Sequence, residues 1–302
     1  MRPARILVLR GGALGDFVVT LPALAALRER WPDGFIEVVG YPHVADLARQ
    51  GGLADRVTSL HGAGIARFFS LRPEFPDDQV EWIRSFDFIL SYLHDPDGVV
   101  MDNLKRAGAR TVLHGSPLVT DDHAVDHLLK PLESLAIYAR GRAPRLVLPP
   151  APTPRALPEP YTVLHPGSGS AKKNAPLSWF LDMAQRMEQE RAVTPVFLTG
   201  EADAEVAAQL AACAPHRTHL RDLSLLEAAR VLAGAAAYAG NDSGITHLAA
   251  ALGAPTLAVF GPTDPDQWGP RGERVSIVRA PAGDWSRLAR VEHLELRKAG
   301  SS

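Results

Sequence analysis

The sequence predicts an α/β protein built from two doubly wound domains facing across a cleft, and three observations carry that expectation. Short apolar strand candidates alternate with segments long enough for helices, a pattern that favours mostly parallel sheets. Two of those strands run directly into glycine-rich turns, Ile6-Leu7-Val8-Leu9-Arg10-Gly11-Gly12 and Tyr161-Thr162-Val163-Leu164-His165-Pro166-Gly167. Between them, residues 144–160 hold seven prolines in 17 positions, a density that neither a helix nor a central strand tolerates. That stretch reads as a linker, giving domains over 1–150 and 151–302, each long enough to bury its own core.

In the first half, the run at 6–9 predicts a fully buried strand. A helical stripe follows over 14–30, with apolar residues at Phe17, Val18, Leu21, Leu24 and Leu27, although Pro22 must start a turn or kink the helix. Further strands are expected over 35–39, 57–60, 86–90 and 111–113. The second half restarts with a strand over 161–165, a helix over 176–190, a strand over 195–199 and helices over 202–212 and 225–232. Residues 239–265 then compress a strand end, a polar turn, a helix over 245–252, a strand and a loop, and a last strand is expected over 275–278. Residues 241–244 supply small polar side chains suited to capping the N-terminus of that helix, which makes it an anion site beyond the end of the strand.

Composition excludes several classes. A net charge of −2, with 46% hydrophobic and 22% charged residues, is that of an ordinary globular chain without a nucleic-acid footprint. Cys213 is the single cysteine, so no intrachain disulfide is possible, and Met1 is followed at once by a strand rather than an export signal. A cytoplasmic location is therefore expected. No window approaches the roughly 18 consecutive apolar residues of a membrane span, so any bilayer contact should be peripheral.

Three segments carry candidate chemistry. The first turn offers Gly11, Gly12 and Gly15 but not the G-x-G-x-x-G spacing of a dinucleotide site, and Glu37 lies inside the second strand rather than at its end. Asp16 at the start of the helix is either an N-cap or a general base in the cleft. The second segment, His165 to Pro176, ends a loop of Ser168, Gly169 and Ser170 in Lys172 and Lys173, two of only five lysines in the chain. It is either a solvated loop or a phosphate cradle, and it is not a Walker A motif. The third supplies Asp242, Ser243, Gly244, Thr246 and His247: Asp242 is an N-cap or a sugar acceptor, and His247 a packed side chain or a ligand group. His123 and His127 are spaced i, i+4 around Asp126, yet no third ligand is evident and no metal is expected.

Taken in order, these segments resemble glycosyltransferase family 9, the ADP-heptose:lipopolysaccharide heptosyltransferases. The resemblance rests on Arg10-x-Gly12-x-Leu14-Gly15-Asp16 followed by Thr20-Leu21-Pro22-Ala23-Leu24, and on His165-Pro166-Gly167-Ser168-Gly169-Ser170-x-Lys172-Lys173-Asn174. It continues through Asn241-Asp242-Ser243-Gly244-x-x-His247-Leu248-x-Ala250-Ala251-Leu252-Gly253 and Phe260-Gly261-Pro262-Thr263-Asp264-Pro265. The family implies a GT-B fold with an N-terminal acceptor domain and a C-terminal nucleotide-sugar domain. It also implies inverting transfer without a metal or other cofactor, from ADP-heptose to an envelope glycan, with at most peripheral contact at the inner membrane. By the same resemblance Asp16 is the catalytic base. Ser168, Gly169, Ser170, Lys173, Ser243, Gly244 and His247 face the leaving diphosphate, Asp242 the sugar or its diphosphate, Glu201 or Asp203 the ribose, and Leu223 the base. Arg10, Gly12, Arg67 and Arg72 are the residues available to the acceptor. Ala175 stands where many members carry an aromatic side chain. A nucleotide-sugar epimerase or hydrolase of the same fold, a non-catalytic nucleotide-sugar binding protein and an NAD-dependent dehydrogenase are the alternative readings.

Overall fold

The computed structural model describes residues 2–289, residue 154 excepted, and the chain divides into two compact units, 1–142 and 143–302. In the first unit, β1 (Arg5–Leu9), β2 (Phe35–Gly40), β3 (Arg56–Ser59), β4 (Phe88–Ser91) and β5 (Val112–His114) form one sheet in the order β3-β2-β1-β4-β5. All neighbours are parallel. The helices are α1 (Leu14–Val18), α2 (Leu21–Arg30), α3 (Pro42–Gln50), α4 (Ala63–Ala66), α5 (Asp77–Arg84), α6 (Val99–Arg106) and α7 (Ala124–Leu129). Leu7, Leu9, Val39 and Ile89 pack on one face against Ile83 and Leu104, so β1 is apolar on both faces because both are covered.

The helix expected over 14–30 is two helices. Pro22 lacks an amide to continue the ladder, and the chain breaks at Val19 and Thr20, where Thr20 N bonds to Phe17 O at 2.9 Å before α2 starts with Pro22 in its first turn. The strand expected over 86–90 is shifted to Phe88–Ser91, with Phe86 buried ahead of it.

In the second unit the sheet runs β11-β10-β9-β6-β7-β8, again all parallel. Its strands are β6 (Tyr161–His165), β7 (Thr194–Thr199), β8 (Thr218–Arg221), β9 (Ala237–Asn241), β10 (Thr256–Phe260) and β11 (Val275–Arg279). Its helices are α8 (Leu177–Arg191), α9 (Ala204–Cys213), α10 (Leu225–Gly234), α11 (Gly244–Ala251) and α12 (Pro265–Trp268). β8 has no counterpart among the expected strands; it is an edge strand in which only Leu220 is buried, too short a signal to register as a period. The proline-rich stretch forms neither helix nor strand where described, and its Leu146 is buried in this unit with its amide on Ala251 O at 2.8 Å.

Strand order reverses between β1 and β4 in the first sheet and between β6 and β9 in the second. In open parallel sheets the crevice at the carboxyl ends beside such a reversal is where ligands bind. The turns after β1, β6 and β9 carry the three segments singled out in the sequence.

Candidate functional site

In the first unit the turn after β1 is organised around Asp16. Asp16 is not the N-cap; it lies in the first turn of α1 and its Oδ2 reaches back to accept from the Ala13 amide at 2.9 Å. Gly12 has φ +95°, and a Cβ there would stand 2.8 Å from both Cβ and Oδ2 of Asp16, so glycine is required twice over. Arg10, only 3% exposed, donates from Nε and Nη2 to the Asp16 carbonyl at 3.2 and 2.7 Å, and Thr20 Oγ1 donates to the same oxygen at 2.8 Å. Arg10 Nη2 is also 3.7 Å from Asp16 Oδ1. Burial pulls the Arg10 guanidinium below its ordinary pKa, a pull opposed by the Asp16 carboxylate. Arg10 is thus locked beneath Asp16, while the carboxylate itself stays about a third exposed. Arg67 is exposed in the 3₁₀ turn Arg67–Phe69, which Asn103 Nδ2 ties to α6 through the Phe68 carbonyl at 2.9 Å. Arg72 sits just beyond that turn at φ +52°.

In the second unit the turn after β6 meets the turn after β9. Lys173 Nζ lies 2.7 Å from Asp242 Oδ2, the carboxylate only 7% exposed and the lysine half-buried. Ser168 Oγ bonds to Ser170 O at 2.8 Å and to Asn174 Oδ1 at 2.6 Å, folding the loop over itself while Gly169 and Ser170 remain exposed. Asn241 does not cap α11. Its side chain crosses to the β6 turn instead, donating to Pro166 O at 2.8 Å and accepting from the Ala175 amide at 3.0 Å, with Ala175 buried. The cap is Ser243, whose Oγ accepts from Thr246 N at 3.3 Å, leaving the amides around Gly244 at the open end of the helix. Thr246 is held in turn by the Tyr238 hydroxyl at 2.8 Å, whose pKa burial pushes up. His247 is buried one turn into α11.

Along the same carboxyl edge, the turn after β7 is the 3₁₀ segment Glu201–Asp203. Glu201 is exposed, whereas Asp203 is buried, accepting from the Gly200 amide at 2.8 Å. A Cβ on Gly167 would sit 1.9 Å from Asp203 Oδ1, so that glycine lets the β6 turn close onto the carboxylate. His165 donates from Nδ1 to Leu198 O at 2.9 Å, and its burial holds its pKa below the ordinary value against the opposing pull of Asp203. After β8, Leu223 is half-buried between Asp222, at φ +54°, and Ser224, the cap of α10. The sheet order therefore lines up Asp242 with Gly244, then Ser168 to Lys173, then Glu201, then Leu223.

The two histidines considered as metal ligands are used otherwise. His123 Nδ1 accepts from Val125 N at 3.2 Å, His127 Nε2 bonds to Ser116 O at 2.9 Å, and Asp126 accepts from Gly141 N at 2.7 Å. Among the described residues no group of three His, Cys, Asp or Glu is arranged to hold a metal ion.

Two parallel, doubly wound units are the architecture of the GT-B fold, and solved structures share it. The E. coli heptosyltransferase WaaC with ADP superposes with a TM-score of 0.73 over 95% of this chain and 96% of that one at 21% identity. The E. coli ADP-heptose LPS heptosyltransferase II gives 0.72 over 90% and 89% at 18% identity. In sequence, residues 150–296 match the model of glycosyltransferase family 9 (heptosyltransferase). Lipopolysaccharide heptosyltransferase 1 of Pseudomonas aeruginosa is 28% identical over 296 residues, 89% of this chain and 81% of that protein. Its E. coli K12 namesake is 47% identical over 62 residues, 20% of this chain and 19% of its own. The second unit thus carries the match to glycosyltransferase family 9, and the chain is a glycosyltransferase similar to these heptosyltransferases.

Proposed function

We propose that the protein is an inverting, metal-independent heptosyltransferase that moves heptose from ADP-heptose to a lipopolysaccharide core acceptor. The donor and acceptor classes follow from the names of the relatives, lipopolysaccharide heptosyltransferase 1 and ADP-heptose LPS heptosyltransferase II. The observation that carries the reading is the Lys173–Asp242 pair at 2.7 Å, set beside the open amides of α11 where β6 and β9 diverge. An ammonium with donors to spare and a helix N-terminus supply positive charge where a diphosphate leaves, the task other transferases give to a divalent ion. Four adjacent strands span about 14 Å, so the row from Asp242 to Leu223 suits an extended molecule: diphosphate on Lys173 and α11, ribose at Glu201, adenine at Leu223.

The first unit binds the acceptor and the second the donor. Asp16 takes the proton of the acceptor hydroxyl as that oxygen forms its bond to the anomeric carbon. The bond from that carbon to the diphosphate oxygen breaks on the opposite face, and ADP departs with the electron pair, so configuration inverts. Arg10 and Gly12 shape the base's surroundings, and Arg67 meets an anionic acceptor. Acting on an envelope precursor implies work in the cytoplasm with peripheral contact at the inner membrane; no described helix is long and apolar enough to cross a membrane.

The test is ADP release from ADP-heptose in the presence and absence of a heptose-free core acceptor. Release that requires the acceptor, is abolished in Asp16→Ala and persists in chelator is the expected result. Acceptor-independent turnover, or full activity in Asp16→Ala, would overturn the reading.

A further inference from the structure

The segment after β11 crosses the sheet to the turn that carries Lys173. β11 is an edge strand, separated from β6 by β10 and β9, so the chain covers about 14 Å along the carboxyl edge to get there. It starts with the Ala280 amide on Phe260 O at 2.8 Å and bends through Pro281–Gly283, with Ala282 at φ +53° and Gly283 at φ +72°. Asp284 Oδ1 then accepts from Ser286 N at 3.0 Å and from its hydroxyl at 2.7 Å, setting the 3₁₀ turn Trp285–Arg287. Trp179 Nε1 holds the far end through Ala289 O at 3.2 Å.

At the centre lies Trp285. Its ring rests on the bare Cα of Gly261, the first residue after β10; a Cβ there would be 2.3 Å from the ring. The half-buried side chain packs against the core cluster that includes Leu164, Phe180 and Leu257. Its indole Nε1 donates to the carbonyl of Lys172 at 3.4 Å, one residue before the lysine that pairs with Asp242. The turn is therefore gripped by Ser168 from within, by Asp242 through the Lys173 ammonium, and by Trp285 through the backbone. A residue that only sealed the edge strand has no need to reach β6.

We propose that Trp285 is a positioning residue for the donor site, latching the Lys172–Lys173 turn in the conformation that receives the diphosphate. The inference rests on the reading of the second unit as the donor site. Without the latch the turn samples other conformations, and apparent donor affinity falls by the fraction of time it is correctly formed. The effect belongs in donor binding, not in the base-catalysed step in the other unit.

The experiment titrates ADP calorimetrically into the full chain and measures KM for ADP-heptose and kcat in parallel. Trp285→Ala is expected to weaken ADP and raise donor KM about tenfold with kcat changed by less than about twofold. Trp285→Phe, which keeps a ring but loses the N–H, should fall between it and wild type. Met187→Ala, a truncation in the same core cluster away from the turn, is the stability control and should lower Tm without changing the ADP Kd. Unchanged Kd in Trp285→Ala, or a loss equal to that of Met187→Ala at equal Tm, overturns the latch. If Trp285→Ala does not fold, Trp285→Phe and Gly261→Ala decide, and wild-type affinity in both overturns it. Failure of wild type itself to bind ADP removes the donor-site reading, a distinct outcome.

Discussion

Asp16 stands on an arginine that almost never meets water. Removing Arg10's fork leaves the carbonyl of the very residue proposed as base held by the Thr20 hydroxyl without the guanidinium beneath it, and displacements of about 1 Å in a reacting group are enough to cost on the order of a hundredfold. Arg10→Gln should accordingly lower kcat by about that factor while leaving ADP affinity at the wild-type value; a large change in ADP Kd would show that Arg10 acts elsewhere. Lys173 and Asp242 pose a different problem, because deleting the lysine leaves a buried carboxylate facing the proposed diphosphate. Lys173→Ala should weaken ADP by about 10- to 100-fold, the range of a lost charge-assisted hydrogen bond, and Lys173→Ala/Asp242→Asn should recover part of that loss. A double variant weaker than the single one contradicts the argument. Residue types at these positions were legible in the sequence, but their partners were not. Arg10 reads only as a basic side chain available to an acceptor, and its bonds to the Asp16 carbonyl emerge from the fold; Asn241 reads as a cap until the neighbouring turn arrives from 66 residues away.

At the scale of elements, turns were more legible than strand boundaries, for a physical reason. Gly12, Gly167 and Ser243 each satisfy a local demand, a positive φ, a contact too close for a Cβ or a free amide, and such demands restrict residue type. β8 answers only to tertiary pairing along β7 and needs a single apolar side chain, so nothing local announces it. The cap at α11 gives a testable case. Ser243→Ala should cost about 1 kcal/mol in denaturant unfolding and, if the amides at that helix start meet the proposed diphosphate, weaken ADP as well. Loss of stability with unaltered ADP binding would mean the helix end does not meet the nucleotide.

For the whole molecule, the alternation of strands and helices announced two parallel sheets, but only the three-dimensional strand order reveals that both sequence signatures fall at reversal points. The same packing that assembles the second site makes it sensitive to acid. His165 is buried under the β6 turn with its pKa held down by desolvation, and His219, beside Thr199 at 2.7 Å, is lowered by burial and by Arg221. In the unfolded chain both take up protons near the ordinary histidine value of about 6.5, whereas in the folded unit they resist until lower pH. The unfolded state therefore binds more protons in that window, and stability must fall as pH drops through about 6.5, levelling only below the folded-state values. The lowered carboxylates of Asp46, Asp122 and Glu227 act in the same direction, but only near and below their ordinary values, around pH 4. Thermal melts between pH 7.5 and 5.5 should thus show a declining Tm that flattens in His165→Asn, and a wild-type Tm constant across that interval would contradict this account. Saturating ADP, by adding binding free energy to the native state alone, should raise the whole curve by about 2.7 kcal/mol at a hundred times its Kd and leave the histidine slope in place, because neither imidazole is part of the proposed nucleotide contact.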